Sequence, residues 1–300
     1  MPRDWEAQFR EWAKPPGKTE QDRCDNAVSA IRNAIKASDN LRSRGVSVFS
    51  QGSYRNNTNV RKDSDVDIGI RCTDTFFFDL PEGTTRDTYR IAPATYNYDQ
   101  FKNEVEAALV TYFGRSAVKR GNKAFDVHET SYHVEADVEA DVAAFFEHRR
   151  YKADGTYLEG VELRTDKENR SVINWPEQHY ENGVDKSNAT GTRFKSIIRV
   201  LKALSNEMTG QGVGAANIPG FLIECLVWNV PNSNFQNSTY RADVHAALAF
   251  LFNNTRSYED CKEWGEVSDL IYLFHAEQKW TWQQAHAFTN AAWDYIGFEG

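Results

Sequence analysis

The sequence predicts an α+β protein with two lobes, a mixed sheet with helices followed by a C-terminal helical lobe. The first half contains short segments with apolar and polar residues in alternation, as at residues 65–68 and 131–142, which is typical of strands. From residue 178 onward, apolar residues recur with helical spacing instead. We therefore expect a sheet-containing lobe at residues 1–177 and a helical lobe at residues 178–300, with N-terminal helices that brace both.

The composition is typical of a globular protein and argues against two classes of partner. Of the 300 residues, 40% are hydrophobic and 26% are charged. The formal net charge of −8 argues against a constitutive grip on duplex nucleic acid, but it permits small nucleotides carried with metal. The strongest apolar run, residues 221–230, contains Glu224 and is too short to span a membrane.

The start of the chain and its cysteines predict a reducing compartment. The first six residues lack the apolar core of a signal peptide. Cys24, Cys72, Cys225 and Cys261 are widely separated and form no C-x-x-C pair, so they suggest neither a zinc ribbon nor a disulfide framework. We expect a cytoplasmic protein.

Periodicity assigns most of the chain to helices and strands. The first half should form helices at residues 5–12, 19–37 and 98–113, and strands at 46–49, 65–68, 124–128 and 131–142, the last two joined by a turn at 129–130. Residues 157–175 should be strand and loop, followed by helices at 190–208, 219–230, 242–252, 267–274 and 282–296. Residues 73–97 are predicted to be a connection, in which the phenylalanines at 76–78 form a lid or, as we favour, part of the core.

The stretch from Gly52 to Asp67 carries the strongest chemical signal. The predicted strand at 46–49 ends in the Gly52-Ser53 turn, whose backbone N–H groups and hydroxyl suit a triphosphate. Asp65 and Asp67 alternate with apolar residues, so both carboxylates should project from one face of a strand. Their separation, about 6.6 Å along a strand, suits a pair of divalent metal ions. A solvated turn with two acids is the alternative interpretation.

Residues 131–142 predict a second acidic strand face. The even-numbered positions there are apolar or aromatic, whereas the odd-numbered ones include His133, Glu135, Asp137, Glu139 and Asp141. Four acids on one face repel one another unless cations are present. We therefore expect at least one of them to bind metal, the alternative being a face that is merely hydrated.

The predicted helix at residues 190–208 carries a row of cations. Lys195, Arg199 and Lys202 recur at i, i+4 and i+7, beside an apolar face. In a chain with a formal charge of −8, such a row suits a triphosphate. A solvated basic face is the alternative.

These motifs together resemble a known superfamily. Gly52-Ser53 followed by Asp65-Val66-Asp67-Ile68 resembles the signature of the polymerase-β-like nucleotidyltransferases, in which a Gly-Ser turn precedes a strand with two aspartates and a later strand supplies a third acid. The wider pattern, with Asp141, Lys202 and Asn182-Gly183, covers most of residues 46–205 and most resembles clade E of the cGAS/DncV-like nucleotidyltransferases, the CD-NTases.

The resemblance implies roles for individual residues. Asp65 and Asp67 would hold two Mg²⁺ ions, with Mn²⁺ as the substitute, and Asp141, or else Asp137, would be the third metal ligand and catalytic acid. The residues implied to bind the donor nucleotide are Gln51, Gly52, Ser53, Lys195 and Lys202. Asn188 matches a position where asparagine favours a pyrimidine in some clade E enzymes, and a helix N-cap is its alternative role.

The implied activity is the joining of NTPs into a cyclic dinucleotide, such as cyclic UMP-AMP, in a cleft between the lobes. The product would act on a separate effector protein in bacterial antiphage signalling. One rival is a template-independent enzyme that makes linear oligonucleotides or tails with the same catalytic groups. The other is a nucleotide-binding module without catalysis. The chain shows no Cys/His cluster like the zinc-containing insert of the animal cyclic GMP-AMP synthase, so activation by DNA is not expected.

Overall fold

The chain divides into two compact units in a computed structural model that describes residues 3–60, 66–129 and 138–298. The sheet unit comprises Gly17–Arg55 and Asp65–Pro176, and the helical unit comprises Met1–Pro16, Asn56–Ser64 and Glu177–Gly300. The first sixteen residues thus belong to the helical unit, although they precede the sheet unit in the sequence.

Seven strands of the described chain form one sheet. They are β1 Val46–Ser50, β2 Val66–Asp79, β3 Val118–Arg120, β4 Phe125–Glu129, β5 Val138–Tyr151, β6 Tyr157–Arg164 and β7 Ser171–Asn174. The strand order is β1-β2-β5-β4-β3, and β6 pairs with β5 and with β7. β2 and β5 are parallel, whereas the other pairs are antiparallel. The predicted mixed sheet is confirmed, with β5 at its centre.

Alternation along β2 and β5 places their polar residues on one face. Val66 and Ile68 of β2 are buried, as are Ala140 and Val142 of β5. The residues between them remain at least partly accessible to solvent. The acidic face predicted for residues 131–142 is therefore confirmed from residue 139 onward. Residues 130–137 lie outside the described chain, and so does the second residue of the turn predicted at 129–130.

Ten helices accompany the sheet in the described chain. They are α1 Trp5–Trp12, α2 Lys18–Ala37, α3 Gly52–Asn56, α4 Tyr98–Phe113, α5 Pro176–Ala189, α6 Arg193–Gly210, α7 Gly220–Trp228, α8 Tyr240–Asn253, α9 Tyr258–Cys261 and α10 Trp282–Ile296. In the sheet unit, α2 and α4 pack against β5. The residues of the apolar stripe of α2 are all buried: Ala27, Ala30, Ile31, Ala34 and Ile35.

The helical unit has a core of its own, to which both ends of the chain contribute. Phe9 of α1 and Phe288 of α10 are completely buried in the same apolar cluster as Ile197 and Leu201 of α6. The predicted boundaries of α1 and α10 match the structure, because each helix has a clear stop or start signal. Thr281 caps α10 by accepting a hydrogen bond from the Gln284 N–H, and Gly297 ends it with a φ of 72°.

The helix predicted at residues 267–274 is wrong. This segment consists of turns, with an isolated β-bridge between Gly265 and Tyr272. Asp269 has a φ of 57°, which ends any helical path there. Val267 and Leu273 are nevertheless fully buried. Burial of apolar residues from a folded loop thus produced a spacing that resembles a helix.

The connection predicted at residues 73–97 begins too early, because β2 continues to Asp79. The register of β2 against β5 shifts between Cys72 and Phe76, and this irregularity lets the polar residues at 73–75 leave the ladder before pairing resumes. Phe77 then packs on Tyr98 and Phe146, with ring centroids 6.0 and 5.4 Å away. The packing role favoured for this aromatic cluster is confirmed for Phe77.

Candidate active site

The Gly-Ser turn follows β1 directly and lies against the strand that carries Asp67. The Gln51 N–H donates to the Asp67 carbonyl at 2.9 Å, which extends the pairing of β1 and β2 by one residue. Gly52 then starts α3 with a φ of 67°. A Cβ on Gly52 would lie 2.0 Å from Oδ2 of Asp67. Glycine is therefore required here both by the backbone conformation and by the close approach of a carboxylate.

Two of the predicted metal ligands are neighbours in the sheet. Asp67 of β2 stands in register with Asp141 of β5. Adjacent strands are about 4.8 Å apart, so these two carboxylates project from the same face at close range. The structure thus brings together Gln51, Gly52, Asp67 and Asp141. Ser53, the second residue of α3, follows Gly52 directly.

Asp65 and Asp137 lie outside the described residues, and so does Asp63, which continues the same alternation. Asp141 is the candidate third acid that the structure places beside Asp67. The choice between Asp141 and Asp137 as the third metal ligand stays a prediction.

A third carboxylate stands in the same row and was not singled out from the sequence. Asp126 of β4 is in register with Asp141 on the antiparallel side of β5. Nε2 of His128 lies 2.5 Å from Oδ1 of Asp126. The alternation of residues 124–128 predicted the strand, but the register between β4 and β5 is a non-local property that no local pattern reveals. Asp67, Asp141 and Asp126 therefore form an acidic row across three strands.

The acidic row has the chemistry that a hard divalent cation requires. Carboxylate oxygens are the ligands that Mg²⁺ prefers, and a cation would offset the repulsion between like charges on adjacent strands. No group of three or more His, Cys, Asp and Glu side chains within the described ranges has the geometry of a complete metal site. The predicted set needs Asp65 in addition, and that residue lies outside those ranges. Asp67, Asp141 and Asp126 therefore fit a divalent metal ion as part of its ligand set.

The predicted cation row of α6 is not a solvated basic face, because two of its members are buried. Arg199 donates from Nε and Nη2 to the Ala13 carbonyl at 2.9 and 2.6 Å, and from Nη1 to the Asn57 carbonyl at 2.6 Å. Burial lowers the pKa of Arg199 to about 10. Arg199 thus holds two segments of backbone within the helical unit. Lys195 is more accessible, with Nζ 5.7 Å from the centroid of the Tyr180 ring.

Lys202 belongs to a buried polar cluster centred on Glu224. The Glu224 carboxylate accepts hydrogen bonds from Lys202 Nζ at 3.0 Å, from Thr58 Oγ1 at 2.8 Å and from His179 Nε2 at 2.8 Å. Burial alone would raise the pKa of Glu224, but Lys202, His179 and Thr58 together outweigh it and hold the pKa well below its ordinary value. Glu224 is therefore an ionised carboxylate inside the helical unit, and sequence analysis missed it because its three partners are distant in sequence.

Asn188 lies in the last turn of α5 and is exposed. The alternative role as a helix N-cap is wrong, because α6 starts at Arg193 and its N-cap position is Thr192. Residues 190–192 form the turn between the two helices, in which Gly191 and Thr192 have positive φ angles of 56° and 71°. The pyrimidine-reading role of Asn188 stays a prediction.

A second buried acid in the helical unit makes a pH dependence of stability testable. Burial raises the pKa of Glu266 from 4.5 to about 7, although Gln278 Nε2 donates to it at 2.7 Å. The folded state therefore binds a proton at Glu266 more tightly than the unfolded state does. The stability that protonation of Glu266 contributes is fully present below pH 4.5 and is lost as the pH rises through 7.

We expect the free energy of unfolding to fall by about 3 kcal/mol from this group between pH 4.5 and pH 8, at roughly 1.4 kcal/mol per pKa unit. Urea unfolding of the wild type and Glu266→Gln at pH 5 and pH 8 measures it, and the variant should gain relative stability at pH 8. Glu259→Gln, at an exposed glutamate, is the matched control. Equal pH dependence in all three proteins would contradict the assignment.

Comparison with known proteins shows that a fold of this kind belongs to nucleotidyltransferases. The chain is 41% identical over 295 residues to the cyclic dipyrimidine nucleotide synthase CdnE of Cecembia lonarensis, covering 98% of each chain. It is also 41% identical over 299 residues to the CdnE of the same description from Legionella pneumophila, again with 98% coverage of both. The sequence model of the cGAS/DncV-like nucleotidyltransferase C-terminal helical domain matches residues 181–297.

A solved structure extends this match to the whole fold. The CdnE c-UMP-AMP synthase of Rhodothermus marinus, solved with Apcpp and Upnpp, superposes with a TM-score of 0.86 and 28% identity, covering 98% of this chain and 97% of that one. The chain belongs to the cGAS/DncV-like nucleotidyltransferases, the CD-NTases, as the motifs predicted.

Its homologues are cyclic dinucleotide synthases, and the family acts in antiphage signalling. Enzymes of this family generally use divalent metal ions. None of the helices within residues 3–60, 66–129 and 138–298 combines the length and apolarity needed to cross a bilayer.

Proposed function

We propose that this chain is a Mg²⁺-dependent synthase that joins NTPs into a cyclic dinucleotide containing at least one pyrimidine. The observation that carries the proposal is that Asp67 stands in register with Asp141 and lies against Gly52. A Cβ on Gly52 would lie only 2.0 Å from the Asp67 carboxylate. Two carboxylates held side by side next to a phosphate-binding turn serve metal-dependent phosphoryl transfer. They have no evident use in a module that only packs or binds a partner.

The residues divide into metal ligands and nucleotide contacts. Asp65, Asp67 and Asp141 would hold Mg²⁺, with Mn²⁺ as the substitute. When bound, the ions acidify the attacking ribose hydroxyl and neutralise charge on the phosphates. The Gly52 and Ser53 N–H groups and the Ser53 hydroxyl bind phosphate oxygens of the donor, and Gln51 fixes the turn through its hydrogen bond to the Asp67 carbonyl at 2.9 Å.

Cations and an amide complete the nucleotide contacts. Lys195 and Lys202 contribute positive charge to the donor triphosphate, which favours departure of pyrophosphate after in-line attack at the α-phosphorus. Asn188 offers both a donor and an acceptor, as the edge of a uracil requires. A ribose hydroxyl of the linear product then attacks the α-phosphorus of its own remaining triphosphate, which releases a second pyrophosphate and closes the ring.

The choice of a pyrimidine is supported by the relatives. The two CdnE enzymes with 41% identity are named for cyclic dipyrimidine products. The Rhodothermus marinus enzyme is named for cyclic UMP-AMP. We infer that UTP or CTP is one substrate here, and that ATP or a second pyrimidine nucleotide is the other. The cyclic product would act on a separate effector protein in the bacterial cytoplasm, without duplex nucleic acid or a membrane as partner.

The test is a product analysis with defined nucleotides. The protein is incubated with each labelled NTP and with all pairs, in the presence of Mg²⁺, and the products are treated with phosphatase. We expect a resistant product that requires UTP or CTP, since a ring has no terminal phosphate to lose. Complete sensitivity to phosphatase would instead identify a linear polymerase. Unchanged NTPs would identify a binding module.

A further inference from the structure

The Lys202 ammonium group is paired with the Glu224 carboxylate inside the helical unit. The Lys202 side chain is only 10% exposed and the Glu224 side chain 5%. A buried lysine without a carboxylate partner binds its proton less well. Lys186 of the same unit shows this, because its Nζ donates to the Val230 carbonyl at 2.8 Å and burial lowers its pKa to about 8. Lys202 differs from Lys186 in that a carboxylate oxygen, and not a backbone carbonyl, accepts from its ammonium group.

The cluster also fixes the direction of the ammonium group. An ammonium has three N–H donors. Glu224 accepts one at 3.0 Å, and Thr58 Oγ1, which donates its own proton to Glu224, lies 3.4 Å from Lys202 Nζ and can accept a second. Within the described part of the chain these contacts take two donors and leave the third for an incoming oxygen atom. The position of the third is determined by the first two.

The end of the Lys202 side chain lies at the start of α7. A Cβ on Gly220 would lie 3.4 Å from Lys202 Cε and 3.9 Å from Nζ. Gly220 is the first residue of α7 and is exposed. The first turn of a helix directs free N–H groups toward the same region and favours anions there. The Lys202 ammonium group therefore lies beside the exposed first residue of α7, within the helical unit.

Glu224 is in turn anchored on both sides. His179 of α5 donates to its second oxygen at 2.8 Å, so the carboxylate cannot rotate without breaking a hydrogen bond. Thr58 belongs to residues 56–59, a segment that Arg199 also holds through the Asn57 carbonyl at 2.6 Å. One ionised side chain thus links Lys202 to residues 56–59 within the helical unit.

We infer that Glu224 is a positioning residue that holds Lys202 ready for the phosphates of the donor nucleotide. The inference rests on the proposed function, since it takes the ligand of Lys202 to be an NTP. Glu224 does not touch the nucleotide itself. It acts by orienting the ammonium group of Lys202.

The test measures binding separately from turnover. The Kd of non-hydrolysable UTP and ATP analogues with Mg²⁺ is determined by calorimetry for the wild type, Glu224→Gln, Lys202→Met and the double variant. We expect each single variant to weaken binding of at least one analogue about tenfold or more, as loss of a charge-assisted contact implies. The double variant should bind within about twofold of Lys202→Met, because Glu224 acts through Lys202.

Glu266→Gln is the matched control, since Glu266 is a buried glutamate of the same unit that bonds to Gln278 instead of a lysine. Its Kd should equal that of the wild type. In the product assay, Glu224→Gln should raise KM for the NTP while kcat at saturation stays within about threefold, a split that general loss of folding does not produce. If Glu224→Gln does not fold, Thr58→Val decides, with an expected weakening of about threefold.

Several results would overturn the inference. An unchanged or lower Kd in Glu224→Gln would show that the carboxylate is neutral toward phosphate or competes with it. Additive effects in the double variant would show that Glu224 acts elsewhere. The proposed function fails separately, if the wild type binds the analogues as expected but forms no phosphatase-resistant product.

Discussion

Asp67→Asn and Asp141→Asn are each expected to lower product formation at least about 10³-fold, as loss of a ligand in a metal-dependent phosphoryl-transfer site implies. The two residues stand in register on parallel strands, so each substitution removes half of the carboxylate pair. The amide of asparagine is neutral, so each variant lacks one of the negative charges that hold a divalent cation. The measurement is the initial rate of formation of the phosphatase-resistant product.

The same variants should keep their fold, because the like charges of Asp67, Asp141 and Asp126 repel one another across adjacent strands. We expect the Tm of the metal-free proteins not to fall, whereas the rise in Tm that Mg²⁺ and NTP produce in the wild type should disappear. Asp99→Asn, at an exposed position in the first turn of α4, is the matched control. Full activity in Asp141→Asn would leave Asp137 as the candidate ligand.

Gly52→Ala is expected to lower activity about 100-fold, since a displacement of about 1 Å at a catalytic group has that cost. The new Cβ would lie 2.0 Å from Oδ2, 2.7 Å from Cγ and 3.0 Å from Cβ of Asp67. The Asp67 side chain must therefore move. In addition, a φ of 67° costs any residue other than glycine about 1–2 kcal/mol.

Gly83→Ala separates these two effects. Gly83 has a φ of 75°, but a Cβ there would meet no atom within 4 Å. Both variants should lose about 1–2 kcal/mol of stability in urea unfolding, because both force alanine into the left-handed region. Gly52→Ala alone should lose activity. Equal activity in the two variants would show that the approach of Asp67 to Gly52 has no catalytic role.

Local patterns predicted the elements of this protein well where each element has its own signals. The boundaries of α4 match the prediction because Asn97 caps its start, accepting from the Gln100 N–H at 2.8 Å, and Gly114 ends it with a φ of 90°. The alternation that placed Asp67 and Asp141 on polar faces is also a local property. These residues could therefore be proposed as partners before their strands were known to pair.

Non-local contacts set the limit of sequence-based prediction. The bulge that lets β2 continue to Asp79 depends on the length of β5, and the turns at residues 267–274 depend on a bridge from Gly265 to Tyr272. Asp126 joins the acidic row through the register of β4, and Glu224 meets Lys202 from the next helix. In each case the structure or the chemical role depends on a pairing between two segments that neither segment encodes alone.

The discontinuous helical unit constrains the order in which the protein folds during synthesis. The ribosome produces α1 first, but Trp5 packs on Tyr295 of α10, with ring centroids 5.9 Å apart, and Phe9 is fully buried in the same core. The apolar side of α1 is therefore not fully covered until α10 has left the exit tunnel. The sheet unit, complete at Pro176, can fold beforehand. Until then the nascent chain exposes part of the apolar side of α1, which can meet other apolar surfaces in the meantime.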